Sequence, residues 1–147
     1  MGKLSSLKQD IKKAVEGRWV EFAGMEFLVA RMNNPRYTEF LSNHRRLSAT
    51  KLSVSTIQAL TIEGVAKFVL LDWKNVVDEM VPPSKDVSER NTVLENGMFY
   101  APLNYTPELG QKLLSNPEYR DLYDFIVTEA SNSDEYRAES LKAAEGN

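Results

Sequence analysis

A chain of 147 residues with 42% hydrophobic and 27% charged residues has the size and composition of one globular domain. The absence of cysteine excludes disulfides, thiolate nucleophiles and cysteine metal sites, and the single histidine makes a conventional zinc site unexpected. The net charge of −3 combines a mildly basic first third with an acidic remainder. We interpret most of these charges as solvated, and the asymmetry as suited to protein partners and not to nucleic acid.

The sequence contains no candidate for a membrane-spanning or secretory segment. Its most apolar run, near residues 65–73, is far too short for a transmembrane helix and is interrupted by Lys67 and Asp72. The N-terminal lysines are not followed by a continuous apolar region, so we expect no secretory signal. With the absence of cysteine, this pattern suits a reducing cytoplasm and no membrane partner.

The N-terminus is predicted to form an amphipathic helix, or a disordered arm that becomes one on binding, and then a β-hairpin. Apolar residues recur at helical spacing over residues 4–15, with lysines on the other side, and Gly17 ends the pattern. Two β-prone runs, over residues 19–22 and 25–31, are joined by a two-residue link that contains a glycine, which predicts a hairpin. Because an isolated hairpin is marginally stable, we expect it to lie on helices or to pair with another strand.

The strongest helical pattern is predicted to begin at Ser55, where Gln58 three residues later completes a capping-box signature. Two neighbouring apolar rows then continue to about Met80, and Pro82-Pro83 ends the helix. Two rows make a wider apolar stripe than a surface helix needs. We therefore expect a central helix with other elements packed on two of its sides.

Three further helix starts share one device, a capping side chain followed by proline at the first helical position. Asn34-Pro35, Thr106-Pro107 and Asn116-Pro117 each have this pair. Between the central helix and the second of these starts, residues 98–101 predict a short strand.

These patterns predict a mainly α protein of the α+β class, with an N-terminal β-hairpin followed by a bundle of about four to five helices around a central helix. We expect a single domain over residues 1–147. Its predicted parts are an N-terminal arm or helix (1–17), the β-hairpin (18–32), a helical body (33–132) and a polar C-terminal tail (133–147).

Residues arranged for catalysis are not found in the sequence. His44 has no serine or carboxylate nearby in a pattern that suggests a triad, and we expect it to be a solvated helix residue. Asp121 and Asp124 share a helix face, where we expect them to be solvated acids. The glycines are scattered and form no phosphate-binding loop. We therefore predict a protein that is not an enzyme and that has no catalytic residues, metal or cofactor.

Aromatic and apolar side chains of the C-terminal half are the remaining functional candidates. Most of them must lie in a core, but we expect some to be exposed, and exposed aromatic side chains beside apolar surface often mark protein interfaces. The predicted partner-binding residues are Trp73, Met80, Phe99, Tyr100, Tyr123 and Phe125.

Three segments, taken in their order along residues 18–136, carry a resemblance to a known family. They are Trp19-Val20-Glu21-Phe22 through Asn33-Asn34-Pro35-Arg36-Tyr37, then Val69-Leu70-Leu71-Asp72-Trp73-Lys74-Asn75-Val76, then Ala101-Pro102-Leu103-Asn104-Tyr105-Thr106-Pro107-Glu108 with the leucines and aromatics that follow. In this order the chain resembles the tail assembly chaperones of long-tailed bacteriophages, which hold the tape measure protein while a tail tube is built. The long stretch over residues 81–97 departs from the family pattern.

The resemblance implies a mostly helical, homo-oligomeric chaperone that covers an extended helical client by helix-in-groove packing. The implied partners are the tape measure protein and, as a further candidate, the tail tube protein. Such a chaperone would act in the cytoplasm of the bacterial host and would be absent from the finished virion. The alternatives are a structural virion component, such as a head–tail connector or tail-completion protein, and a DNA-binding regulator that would use Arg45, Arg46 and Lys51.

Overall fold

The computed structural model describes residues 2–47, 53–77, 93–95, 98–100 and 102–138, and for residues 45–47, 93–95 and 98–100 it describes the backbone alone. The helices within these ranges are α1 (Ile11–Glu16), α2 (Pro35–Leu47), α3 (Val54–Phe68), α4 (Pro107–Ser115) and α5 (Arg120–Ala130). The strands are β1 (Arg18–Phe22), β2 (Met25–Val29), β3 (Leu70–Lys74), β4 (Val93–Glu95) and β5 (Met98–Tyr100). Short 3-10 helices span Leu4–Leu7, Pro117–Tyr119 and Ser133–Tyr136. The predicted α+β class is confirmed.

The predicted hairpin forms the first two strands of a three-stranded antiparallel sheet of order β1-β2-β3. Strands β1 and β2 pair from Arg18 opposite Val29 to Phe22 opposite Met25. The intervening Ala23 and Gly24 both have positive φ, of 53° and 80°, as the two-residue turns that match strand twist require. We call the Arg18–Val29 side the open end of the hairpin and the Phe22–Met25 side its turn end.

The central helix is shorter than predicted at its C-terminal end. Helix α3 ends at Phe68, and the prediction that it continues to about Met80 is wrong over the next residues, because β3 follows directly and pairs with β2. Apolar residues in a short run satisfy a helix or a strand equally well, so long-range pairing decided the outcome. In the strand, Leu70 and Trp73 are buried against the core. Met80 itself lies outside the described residues.

The start of α3 also differs from the prediction. Ser53 is the capping residue, since its hydroxyl accepts a hydrogen bond from the Thr56 N–H at 3.2 Å. Ser55, the predicted cap, lies within the first turn. Ser and Thr fill several neighbouring positions here, so the sequence leaves the capping residue ambiguous within one turn.

The N-terminal helix predicted as one element is divided into a 3-10 helix and α1. The interruption is at Lys8 to Asp10, where the backbone bonds to the far end of the chain: the Asp10 N–H donates to the Tyr136 carbonyl at 2.8 Å, and the Ala138 N–H donates to the Lys8 carbonyl at 3.3 Å. Asp10 then caps α1 with its side chain. Gly17 ends α1, as predicted, with a φ of 82°.

The three proline-marked helix starts are found, with one difference. The Asn34 carboxamide oxygen accepts from the N–H groups at the start of α2, and Thr106 does the same for α4. Asn116 caps a 3-10 turn, and α5 begins after it at Arg120. Asn34 is fully enclosed, and its amide nitrogen also donates to the Arg31 and Phe68 carbonyls at 2.8 and 2.9 Å.

The core lies between the sheet and helices α3, α4 and α5. Its largest fully buried apolar side chains are Phe27, Val29, Val65, Val69, Leu70, Ile126 and Tyr136. Tyr136 belongs to the segment that we expected to be a polar tail, but its ring is buried and its hydroxyl donates to the Val29 carbonyl at 2.8 Å. The end of the described chain is therefore attached to the open end of the hairpin.

Candidate partner-binding groove

An apolar depression lies between the turn end of the hairpin and helices α4 and α5. Its volume is about 610 Å³, within the range of pockets that hold ligands. The apolar residues that line it are Phe22, Met25, Phe27, Trp73, Val76, Val77, Leu103, Leu109, Leu113, Tyr119 and Leu122. We call this depression the hairpin–helix groove.

The groove exists because α4 and α5 have more apolar surface than the core covers. On α4, Leu114 is buried in the core, whereas Leu109 and Leu113, which are four residues apart and share a face, are half-buried in the groove wall. On α5 Leu122 is likewise half-buried, and Tyr119 just before this helix is 43% exposed. These side chains still have area to cover if a partner binds.

A polar rim surrounds this apolar floor. It consists of Lys112 and Asn116 from the α4 side, and Glu118 and Asp121 from the α5 side. Two carboxylates and one ammonium give the rim one excess negative charge. An apolar centre with a polar, hydrated rim is the usual anatomy of a protein–protein interface.

Trp73, one of the predicted partner-binding residues, forms part of the groove floor. Its side chain is nearly buried, and its indole N–H donates to the Leu103 carbonyl at 2.7 Å. The ring packs edge-on against Tyr105 and Phe27, with centroid distances of 4.8 and 6.4 Å. Because these contacts hold the indole in place, the floor of the groove is rigid.

Phe125 and Tyr123 do not join Trp73 in the groove, although both lie on α5. Phe125 points toward the sheet and stacks on Phe22, with ring centroids 4.4 Å apart and planes 15° apart. It thus packs against the core, where we had expected a ring that could be exposed. Tyr123 lies in a smaller pocket of about 420 Å³ beside Ile57 of α3. Burial raises the pKa of its phenol, although the Arg120 guanidinium, 5.1 Å from the ring centre, acts in the opposite direction.

The other predicted partner-binding residues cannot be placed relative to the groove. Met80 lies outside the described residues. Phe99 and Tyr100 belong to β5, which pairs with β4 as a two-stranded sheet, and their side chains also lie outside the description. The short strand predicted at this position is confirmed.

Sequence reasoning missed most of the groove. Met25, Leu109, Leu113 and Leu122 belong to strand or helix patterns in the sequence, and we predicted no binding role for them. The pattern identifies which residues are apolar but not how much of each is covered. Two successive short helices, each with its own apolar row, were the available signal that apolar surface would exceed the core.

The described residues offer little for catalysis or metal binding. Within them there is no group of three or more His, Asp or Glu side chains that could hold a metal ion. His44 is half-buried against the Phe40 ring, at a centroid distance of 4.2 Å, and is thus less solvated than we expected. Asp121 and Asp124 are exposed, as expected, and Asp124 pairs with Arg120 at 3.1 Å.

No helix in the described part of the chain has the length and hydrophobicity that crossing a membrane requires.

Comparison with known proteins gives one finding. The family model described as YdaY prophage protein matches residues 32–147, which is about four fifths of the chain. The match includes both groove helices, and the N-terminal arm and hairpin lie outside it. No curated protein and no solved structure matches the chain.

Proposed function

Since the chain belongs to the YdaY prophage protein family and is therefore phage-derived, we propose that it is a tail assembly chaperone that binds the tape measure protein in the hairpin–helix groove. The binding is non-covalent, and the protein is not an enzyme. The observation that carries the proposal is the groove, whose apolar floor and polar rim suit an amphipathic helix.

The floor of the groove matches the way in which helices are recognised. A bound helix presents apolar anchors at positions i, i+3 or i+4, and i+7 on one face. Leu109 and Leu113 on α4 and Leu122 on α5 provide apolar walls, and the fixed Trp73 indole provides a flat floor between them. A helix seated there would cover the parts of these side chains that the core leaves exposed.

The charge of the rim predicts the kind of client helix. Glu118 and Asp121 outnumber Lys112, so the rim favours a helix whose apolar stripe is bordered by lysine or arginine. Such exposed pairs contribute little affinity each, but they orient the helix in the groove and increase the association rate.

A chaperone of this kind must release its client when the tail tube is built around it. One groove that holds a few anchors gives modest affinity, and many copies along a long client give avidity without an irreversible local contact. Accordingly, the protein acts in the host cytoplasm and is absent from finished particles. If it were instead a head–tail connector or a tail-completion protein, it would remain in purified particles at constant stoichiometry.

Co-expression with the tape measure protein of the same prophage tests the proposal. The wild-type chain should increase the soluble yield of that client. A double variant, Leu113→Asp with Leu122→Asp, should not, because a bound helix would have to desolvate two carboxylates in the groove walls, which costs free energy. Val54→Asp is the matched control: Val54 is 73% exposed on α3 and outside the groove, so the variant should behave as the wild type.

The same variants give a quantitative measurement. With a peptide from the client that has an apolar stripe and basic borders, calorimetry should give a dissociation constant at least about 100-fold weaker for the double groove variant, since two leucine contacts are lost. If the wild type did not raise the soluble yield of the client, the chaperone function would have to be abandoned. If the groove variants bound the client as well as the wild type does, the groove would have to be abandoned as the binding site.

A further inference from the structure

Three of the exposed large apolar side chains of the described chain lie in its N-terminal arm. Leu4 is 86% exposed, Leu7 59% and Ile11 58%. Leu4 and Leu7 share one face of the first 3-10 helix, because residues three apart eclipse one another in that geometry. No contact within the described chain covers this apolar face, which we call the arm face.

The arm face has basic borders. Residues 2–13 contain Lys3, Lys8, Lys12 and Lys13 and one acid, Asp10, whose carboxylate is used to cap α1. The arm therefore presents two exposed leucines with lysines on either side. This is the chemistry that the hairpin–helix groove is suited to bind: apolar side chains for its floor and cations for Glu118 and Asp121.

The arm does not lie in the groove of its own chain. Its anchor, the hydrogen bonds of Lys8 and Asp10 to residues 136–138, is at the open end of the hairpin, where Tyr136 bonds to Val29. The groove is at the turn end, four strand residues or about 13 Å farther along. Leu4 and Leu7 instead border a shallow surface depression of their own, with Ser5 and Lys8.

From this complementarity we infer that the N-terminal arm of a second copy of the chain occupies the groove, with Leu4 and Leu7 on the apolar floor and Lys3 and Lys8 at the acidic rim. The contact joins different surfaces of the two copies and therefore builds rings or open chains, unless two copies exchange arms. The inference rests on the same groove as the proposed function, and the client helix then competes with the arm for it.

The competition has a mechanistic consequence. Without a client, the arm covers groove surface that would otherwise promote non-specific association. When a client helix with more anchors arrives, it displaces the arm. The apparent affinity for the client is then reduced in proportion to the fraction of grooves that are occupied by arms.

Analytical ultracentrifugation of the full chain without any client tests the inference. The wild type should self-associate, and a Leu4→Asp, Leu7→Asp double variant should associate at least about 100-fold more weakly because two leucine contacts are lost. Val54→Asp, which places the same charge on another exposed apolar residue, should associate as the wild type does. Both leucines are exposed, so circular dichroism should show that the double variant is folded.

Charge exchange tests the orientation of the arm. Lys8→Glu alone and Asp121→Lys alone should each weaken association a few-fold, and the two together should restore part of it. Added salt should weaken the wild-type association, since the lysine–carboxylate pairs are exposed.

Three results would overturn the inference. They are a wild type that remains monomeric at every concentration, an oligomer that is insensitive to the arm leucines, and a monomer that binds anionic lipid vesicles through those leucines. The last would make the arm a membrane-surface element. None of these measurements includes the tape measure protein, so failure here leaves the chaperone proposal to its own test. Conversely, a double arm variant that is monomeric and binds the client more tightly would support both.

Discussion

The two ends of the hairpin differ in how much of their apolar surface the rest of the chain covers. At the open end, Tyr136 is completely buried and bonds to Val29, and Arg18 pairs with Glu129 at 2.6 Å while donating to its carbonyl. At the turn end, Phe22 stacks on Phe125 of α5, but Phe22 and Met25 also line the groove. One end is closed by the chain itself, and the other retains uncovered apolar surface.

This difference separates apolar surface used for stability from apolar surface left for binding. Closing the open end requires chain segments that are far apart in sequence, residues 8–10, 29–34 and 130–138, which are joined by backbone hydrogen bonds. The Met32 N–H, for example, donates to the Ala130 carbonyl at 2.8 Å. Among the described residues, no recorded backbone hydrogen bond joins Phe22 or Met25 at the turn end to α4 or α5. We therefore expect substitutions at the open end to reduce mainly the stability, and substitutions in the groove to reduce mainly the binding.

The largest expected effect on stability is at Tyr136. Tyr136→Ala should lower the free energy of unfolding by about 3–5 kcal/mol, because it removes a fully buried ring and its hydrogen bond. Tyr119→Ala at the groove, where the ring is 43% exposed, should cost about 0.5 kcal/mol. Urea denaturation followed by circular dichroism measures both. Equal losses at the two positions would remove the distinction between the ends.

The two capping asparagines give a finer comparison. Asn34→Ala should cost about 2 kcal/mol, because Asn34 is enclosed and its side chain satisfies two helix N–H groups and two carbonyls. Asn116→Ala at the groove rim should cost about 0.5–1 kcal/mol, since the only bond recorded for its side chain in the described structure is with the Glu118 N–H. The measurement is again urea denaturation. A larger loss at Asn116 would mean that the groove end is tied together more firmly than its contacts indicate.

The smallest effect is expected at alkaline pH. Burial raises the pKa of Tyr136 above its ordinary value of 10.0, so the folded chain retains the phenol proton that the unfolded chain loses. The stabilisation is complete below pH 10 and is lost as the pH rises through the folded pKa, with a slope of up to about 1.4 kcal/mol per pH unit. Tyr136→Phe should make the decline in unfolding free energy above pH 10 shallower than in the wild type. Leu113→Ala, which removes no titratable group, should leave the slope as it is.

Local chemistry accounts for the features that could be predicted. The hairpin follows from two β-prone runs around Ala23-Gly24, and the starts of α2 and α4 follow from Asn34 and Thr106. Each is decided within a few residues, by turn geometry or by a side chain that accepts a backbone N–H. The C-terminal limit of α3 was harder to predict, because Leu71 and Trp73 fit a helical row and a strand equally well until β2 is present as a partner.

The candidate site could be predicted only in part. Trp73 was identified and lies in the groove floor, but Phe125 packs on the sheet and Tyr123 lies in a separate pocket. The groove leucines were identified only as apolar residues of predicted helices, and no binding role was predicted for them. Whether an apolar side chain is covered depends on which segments pack over it, and those segments are distant in sequence.

By itself, the sequence determined the elements whose causes are local: the turn at Gly24, the caps at Asn34 and Thr106, and the basic, leucine-bearing arm. The tertiary structure decided the rest. It made residues 70–74 a strand, buried Tyr136 in a segment whose sequence predicts a polar tail, and left Leu109, Leu113 and Leu122 only partly buried. The physical reason is that strand pairing and burial are relations between distant segments, and hydrophobicity along the chain does not specify which surface another segment will cover.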